Sequence, residues 1–356
     1  MTNNTKSYLT LQNIALPFIA LAAATAFFYF ASPILIPVVL AASFSYILSP
    51  AVKLLNRIKL PHMVSVFIVV LVAIFVVAVA GYFLFGIAQG LVGDFPNYWD
   101  AVIKFLSQTR QDIKILDKIL PSQESLDLKT LQLKDVSGLT GFVAKSAGSL
   151  FTFVFISILT AFLTILLLSE QKGLKEKLIY AFGKNERSVA ENIIAQINKQ
   201  IGKFLVVRFL TSLGLGIVFA IGLAIIGVKY AIFWGLLAGV MDLVPFIGPV
   251  LAVVPPLIVT GVQFKSVMPM FWVFILYEAI QIPESNLVAP RLMGRSLNLS
   301  PFALLVATMY WAWLWGAIGV ILAIPITAAM KVICDHIEPL EPIGILLGGK
   351  VEKEVS

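Results

Sequence analysis

The chain has one cysteine, Cys334, and two histidines, His62 and His336, among 356 residues. A single thiol closes no internal disulfide, and three such side chains do not build a Cys or His metal cluster. Charge is scarce too: Asp, Glu, Lys and Arg make up 13% of the residues, against roughly 25% in soluble domains. Also missing are a Walker loop, a Rossmann glycine pattern and a Gly-x-Ser-x-Gly elbow. An ATP-driven pump, a dinucleotide enzyme and a serine hydrolase are therefore not expected. The sequence reads as a non-enzyme, with no cofactor and no metal.

What the chain does have is apolar surface. Hydrophobic residues form 59% of it, and the mean hydropathy is +0.96. Apolar stretches long enough for about 30 Å of hydrocarbon occur at Ile14–Phe30, Ile34–Ala51, Met63–Ile87, Leu150–Leu168, Phe204–Ile226 and Met268–Ile282. Two broken ones follow the fifth and sixth. The expected fold is an all-α polytopic membrane protein with about eight membrane segments, some broken or re-entrant in the C-terminal half. Ala22, Ala24 and Ala26 offer signal-peptide-like cleavage patterns, but the apolar run continues through Phe27–Phe30, so the first segment reads as a retained helix.

The net charge of +7 fits the positive-inside bias of membrane loops rather than nucleic-acid binding. Lys53, Arg57 and Lys59 with no acid mark the second loop as cytoplasmic, which places the N-terminus inside. Seven basic and seven acidic residues balance between Asp94 and Lys145, as an exported loop tolerates. Tyr98, Val102, Phe105 and Leu106 follow helical spacing there, so a small extracytoplasmic helical cap is expected. Between Glu170 and Lys203 basic residues again predominate. Val189, Ile193, Ile197, Ile201 and Phe204 share a face opposite Glu191, Lys199 and Lys203, which describes an amphipathic helix on the inner surface or docked on a partner subunit. The resulting division is 1–92 N-terminal helices, 93–146 insertion, 147–203 helix plus amphipathic helix, 204–334 transport core and 335–356 cytoplasmic tail.

Within the core, Ala238–Pro256 sets Asp242 and the helix breakers Pro245, Gly248, Pro249, Pro255 and Pro256 inside an apolar run. Freed backbone groups survive at membrane depth only where protein or an aqueous cavity satisfies them, and interrupted segments of this kind mark transport sites. The other reading is a structural kink with Asp242 at the headgroup level. Asp242 and Glu278 are the acids expected at depth. Glu278, Gln281 and Ser285 share a helical stripe, while Arg208, near the inner end of its helix, is expected to snorkel. An internal echo pairs Ile247-Gly248…Leu251-Ala252-Val253…Pro255 with Ile318-Gly319…Leu322-Ala323-Ile324…Pro325. It suggests two bent segments bracketing one site.

Three motifs resemble the AI-2E transporter family, also described as autoinducer-2 exporter or PerM-like permeases. They are Asp242-Leu-Val-Pro245-Phe-Ile-Gly248-Pro249; Glu284-Ser-Asn286-Leu-Val-Ala-Pro290-Arg-Leu-Met-Gly294 followed by Leu299-Ser-Pro301; and Trp315-Gly-Ala-Ile-Gly319 with Ala323-Ile-Pro325. The chain departs from the family pattern at Asp242, where Asn is frequent, and at Val207-Arg208, where a Gly-Gln pair is usual. The resemblance implies an oligomeric carrier of the bacterial inner membrane and adds Glu284 to the acids, while the loop charges put both ends in the cytoplasm. Members are either exporters of small furanones or monovalent cation/proton antiporters.

Three functions stay open: a proton-linked exporter of a small polar metabolite, a Na+ or Li+/proton antiporter, and a non-transporting scaffold. Asp242, Glu278 and Glu284 are the candidates for proton coupling. Gln281, Asn286, Trp311 and Trp313 are the candidates for solute contact, the tryptophans reading equally as interfacial anchors. Expected partners are the bilayer, a small-molecule or cation solute and further copies of the chain.

Overall fold

A computed structural model describes residues 2–112, 136–181, 186–293 and 298–349. The protein is an all-α polytopic membrane protein. Among the described residues every regular element is a helix, and extended chain pairs only in an isolated bridge between Leu299 and Gly348. The helices are α1 (Thr2–Phe30), α2 (Ser32–Arg57), α3 (His62–Asp112), α4 (Val136–Ala181), α5 (Arg187–Ile226), α6 (Ala231–Asp242), α7 (Gly248–Phe264), α8 (Val267–Pro283), α9 (Ala289–Met293), α10 (Pro301–Cys334) and α11 (Glu341–Leu347). Five stretches are long and apolar enough to cross a membrane: Ser32–Arg57, His62–Ile87, Val154–Ala181, Arg187–Ile226 and Pro301–Cys334.

Several helices outrun the bilayer. With 51, 46 and 40 residues, α3, α4 and α5 extend about 60–76 Å at 1.5 Å per residue. The helix expected around Tyr98 is therefore not a separate cap but the distal part of α3. The amphipathic stretch before Phe204 likewise is not a helix of its own; it forms the N-terminal part of α5. The physical reason is continuity. No proline occurs between Arg187 and Ile226, and extending a helix by one residue adds a hydrogen bond without a new nucleation cost. The boundaries 92/93, 146/147 and 203/204 fall inside α3, α4 and α5, while Ser122 and most of its polar neighbourhood lie outside the described residues.

Three buried clusters hold the helices together. Val52, Val66, Val69, Val70 and Leu168 join α2, α3 and α4. Leu215, Phe219, Trp234, Ala252, Val273 and Tyr277 join α5 to α8. Trp311, Trp315, Leu322 and Ala323 join α10 to Phe28 of α1 and Leu35 and Val39 of α2. Between α5 and α6 the backbones nearly touch: a Cβ on Gly216 would stand 2.7 Å from the Gly235 carbonyl oxygen, and one on Gly239 would stand 2.9 Å from that of Ser212. Small residues permit such an approach between membrane helices.

Both interrupted segments are helical hairpins. In the first, α6 and α7 meet at a tip over 243–247, where Phe246 has φ +64°. Its mouth is tied by Gln263, which accepts the Lys229 N–H at 2.8 Å and donates to the Gly227 carbonyl at 2.7 Å. With 12 and 17 residues, the limbs span about 18 and 26 Å, short of the hydrocarbon thickness. In the second, α10 turns back at Gly316, whose φ 62° and ψ −142° are not helical. Trp311 shares a cluster with Leu322 and Ala323, yet eleven residues of straight helix would separate it from Leu322 by about 16 Å. The glycines aligned by the sequence echo have one role: a Cβ on Gly248 would collide with the Met241 carbonyl oxygen, and one on Gly319 with that of Trp311.

Candidate functional site

Asp242 is the last residue of α6 and has no exposed surface. Burying an isolated carboxylate is prohibitive, so it must find partners. Arg208 of α5 supplies the charge: its Nη2 lies 3.1 Å from Oδ1 and also donates to the Asp242 main-chain carbonyl, one of the oxygens left free at a helix C-terminus. Ser212, one turn along α5, donates to Oδ2 at 2.6 Å. Gln281 of α8 donates to Oδ1 at 3.4 Å.

The same guanidinium reaches a second acid. Arg208 Nη1 lies 3.3 Å from Oε1 of Glu284, which is 6% exposed. Glu284 opens a π-helical turn, Glu284–Val288, between α8 and α9. Pro283 and Pro290 flank that turn, and neither offers an N–H to the i−4 carbonyl of a regular helix. A local change of register is a known response, and π-turns recur at functional sites.

Three buried polar atoms around this ionic group have no hydrogen bond among the described residues: Tyr277 Oη, Gln281 Oε1 and Glu284 Oε2. Thr211, which stands beside Glu284, donates its hydroxyl to the Arg208 carbonyl at 3.2 Å. Residues 277, 281 and 284 follow i, i+4, i+7 spacing and thus share one face. Buried polar atoms are nearly always paired, so three together single out this face of α8 and the π-turn after it as the candidate site.

The remaining expected residues divide. Glu278 is half-buried and joins no hydrogen bond or ion pair among the described residues; it stands apart from the Arg208 group. Asn286 is exposed and turns its amide back to the Ile282 carbonyl at 3.0 Å and the Ser285 hydroxyl at 3.1 Å. Trp311, 2% exposed, is enclosed by Phe28, Tyr310 and Trp315, and Trp313 is 70% exposed. Neither tryptophan belongs to the Asp242 cluster. Pro245, Gly248 and Pro249 shape the first hairpin's tip, and Pro255 lies within α7. Pro290 follows the π-turn, while Pro301, Gly319 and Pro325 belong to α10. Gly294 lies outside the described residues.

Arg208, Ser212 and Tyr277 are absent from the sequence-derived candidates. Arg208 does not snorkel; it turns inward because two buried carboxyls offer it more than the headgroup level does. The signal was present, since an ionisable residue within a membrane helix calls for a named partner. The two departures from the family pattern, Arg208 and Asp242, prove to be each other's partners.

Comparison with known proteins agrees with this architecture. The chain is 28% identical over 325 residues to a "Putative transport protein" of Borreliella burgdorferi, covering 90% of this chain and 86% of that one. It is 26% identical over 354 residues to a Haemophilus influenzae protein of the same name, covering 98% of each. It is 24% identical over 325 residues to the AI-2 transport protein TqsA of Escherichia coli, covering 89% of this chain and 90% of that one. The family model described as AI-2E family transporter matches residues 18–338, and the chain belongs to that family.

Proposed function

We propose that the protein is a secondary transporter that exports a small polar metabolite of the AI-2 furanone kind across the bacterial inner membrane, coupled to protons. The observation that carries this reading is the charge count of the buried cluster: one guanidinium faces two carboxyls. With one proton bound the group is neutral, and without it the group carries one negative charge. At membrane depth that difference is large, so proton exchange and solute occupancy are coupled. A hydroxylated ring suits the unpartnered atoms, offering O–H donors to Gln281 Oε1 and Glu284 Oε2 and an acceptor to the Tyr277 hydroxyl. Both chain ends face the cytoplasm in this reading, on the side of the basic loops.

The same oxygens favour a second reading, Na+ or Li+/proton antiport, because they are hard donors beside a net negative group. Flux in proteoliposomes with an imposed pH gradient separates the two. The expected result is gradient-driven furanone movement that Glu284→Gln uncouples from pH and Glu278→Gln leaves coupled. Cation-dependent proton flux without furanone movement would select the antiporter, and no flux of any solute would return the chain to a scaffold.

The working unit is a homo-oligomer. The Gly235-x-x-x-Gly239 pair packs on α5 within the subunit, whereas a Cβ on Gly86 would meet nothing within 4 Å and one on Gly90 only the Tyr230 hydroxyl at 3.5 Å. That glycine pair is open to a helix of another copy.

A further inference from the structure

Between α2, α4 and α5 lies a cavity of about 510 Å³ whose lining contains four lysines, Lys53, Lys172, Lys175 and Lys203, and no acid. None of the four makes an ion pair among the described residues. Nearby Lys177, outside the cavity, pairs with Glu170 at 3.8 Å. Four like charges lining one cavity without a counter-charge repel one another, and a bound anion relieves that repulsion. Neutral donors accompany them. Asn198 accepts the Tyr46 hydroxyl through Oδ1 at 2.5 Å, and its Nδ2 makes no hydrogen bond among the described residues.

The level of the cavity identifies the anion. The apolar run of α2 ends at Lys53, that of α4 ends after Leu168 just before Lys172, and that of α5 begins at Phe204, just after Lys203. Three helices thus change from apolar to polar at one cavity, which places it at the boundary of hydrocarbon and headgroups. Its lining has the same two-part character, with lysines joined by Pro50, Val206 and Val207. It is distinct from the Arg208 cluster, because none of Arg208, Ser212, Asp242, Gln281 and Glu284 lines it.

We propose that this cavity binds the phosphate headgroup of an anionic phospholipid, with the acyl chains leaving along the apolar faces of α2 and α5. Basic pockets between membrane helices suit such headgroups. A membrane phosphate is favoured over a soluble one because the lysines sit where the helices leave the hydrocarbon.

The test uses the full chain in phosphatidylcholine discs doped with phosphatidylglycerol or cardiolipin, with protein-bound lipid read by native mass spectrometry. The expected result is roughly tenfold or greater preference for the anionic lipids over phosphatidylcholine, in line with the attraction of each lysine near a membrane surface. That preference falls with added salt, is lost in the Lys53→Gln/Lys172→Gln/Lys175→Gln/Lys203→Gln variant and persists in Lys177→Gln. Equal retention of all headgroups by the unmodified chain overturns the proposal, whether or not the fourfold variant folds. So does unchanged preference in a folded fourfold variant. Displacement of the lipid by millimolar inorganic phosphate also overturns it, assigning the cavity to a soluble phosphate compound instead.

Discussion

Arg208 Nη2 lies 3.1 Å from Asp242 Oδ1, although the two residues are 34 positions apart and sit on different helices. The contact depends on the glycine seam between α5 and α6, which brings Gly216 against Gly235 and Gly239 against Ser212. With Asp242 fully buried and the Arg208 side chain 20% exposed, little water reaches the pair.

Arg208→Gln removes the cation from both carboxyls and is expected to destabilise the protein by about 3 kcal/mol or more, the usual cost of orphaning one member of a buried pair. The double variant Arg208→Gln/Asp242→Asn is expected to recover part of that loss, since the neutral amide pair leaves Glu284 as the one buried carboxyl of the cluster without its cation. Thermal unfolding in detergent, analysed as a double-mutant cycle, measures the coupling. Additive losses would show that the two side chains are energetically independent.

Gly248→Ala and Gly319→Ala are each expected to disrupt a hairpin, because the added methyl meets a carbonyl oxygen of the opposite limb. Gly214→Ala is the control, with nothing within 4 Å of its Cβ. The expected readout is loss of monodisperse protein for the first two and wild-type behaviour for the third. Tolerance of Ala at Gly319 would contradict the reversal of α10.

Trp311→Ala opens a void beside Phe28 and Trp315 and is expected to cost about 3–5 kcal/mol, read as a fall in unfolding temperature. Trp313→Ala removes an exposed ring and is expected to leave the unfolding temperature unchanged. Equal losses would place both rings in the core.

Cysteines substituted for Lys59 and Lys265 in a Cys334→Ser background are expected to lie on opposite sides of the membrane. A membrane-impermeant maleimide should label the Lys265→Cys variant in intact cells and the Lys59→Cys variant only after lysis. The reverse pattern would invert the orientation.

Much of the architecture was legible in the chain itself. Hydropathy alone requires membrane helices, and the prolines around Asp242 require a break that protein or water must satisfy. The Gly248/Gly319 echo marked two equivalent turns, because a close backbone approach tolerates only a missing side chain. These are local properties, carried by residue type and spacing.

Partner choice was not local. Arg208 at the edge of an apolar run reads the same whether it reaches for headgroups or for a buried acid, and only the packing of α5 on α6 and α8 supplies Asp242 and Glu284. Glu278 and Glu284 were indistinguishable as acids; the register change after Pro283 and the face that α8 presents to α5 set Glu284 beside the guanidinium and Glu278 apart from it. A different packing, of α10 on α1 and α2, made Trp311 a core residue. The sequence by itself determined that this is a helical membrane protein with two interrupted segments and buried acids. Tertiary structure decided which acid meets which cation, because a buried charge takes its partner from whatever helix is packed against it, regardless of distance along the chain.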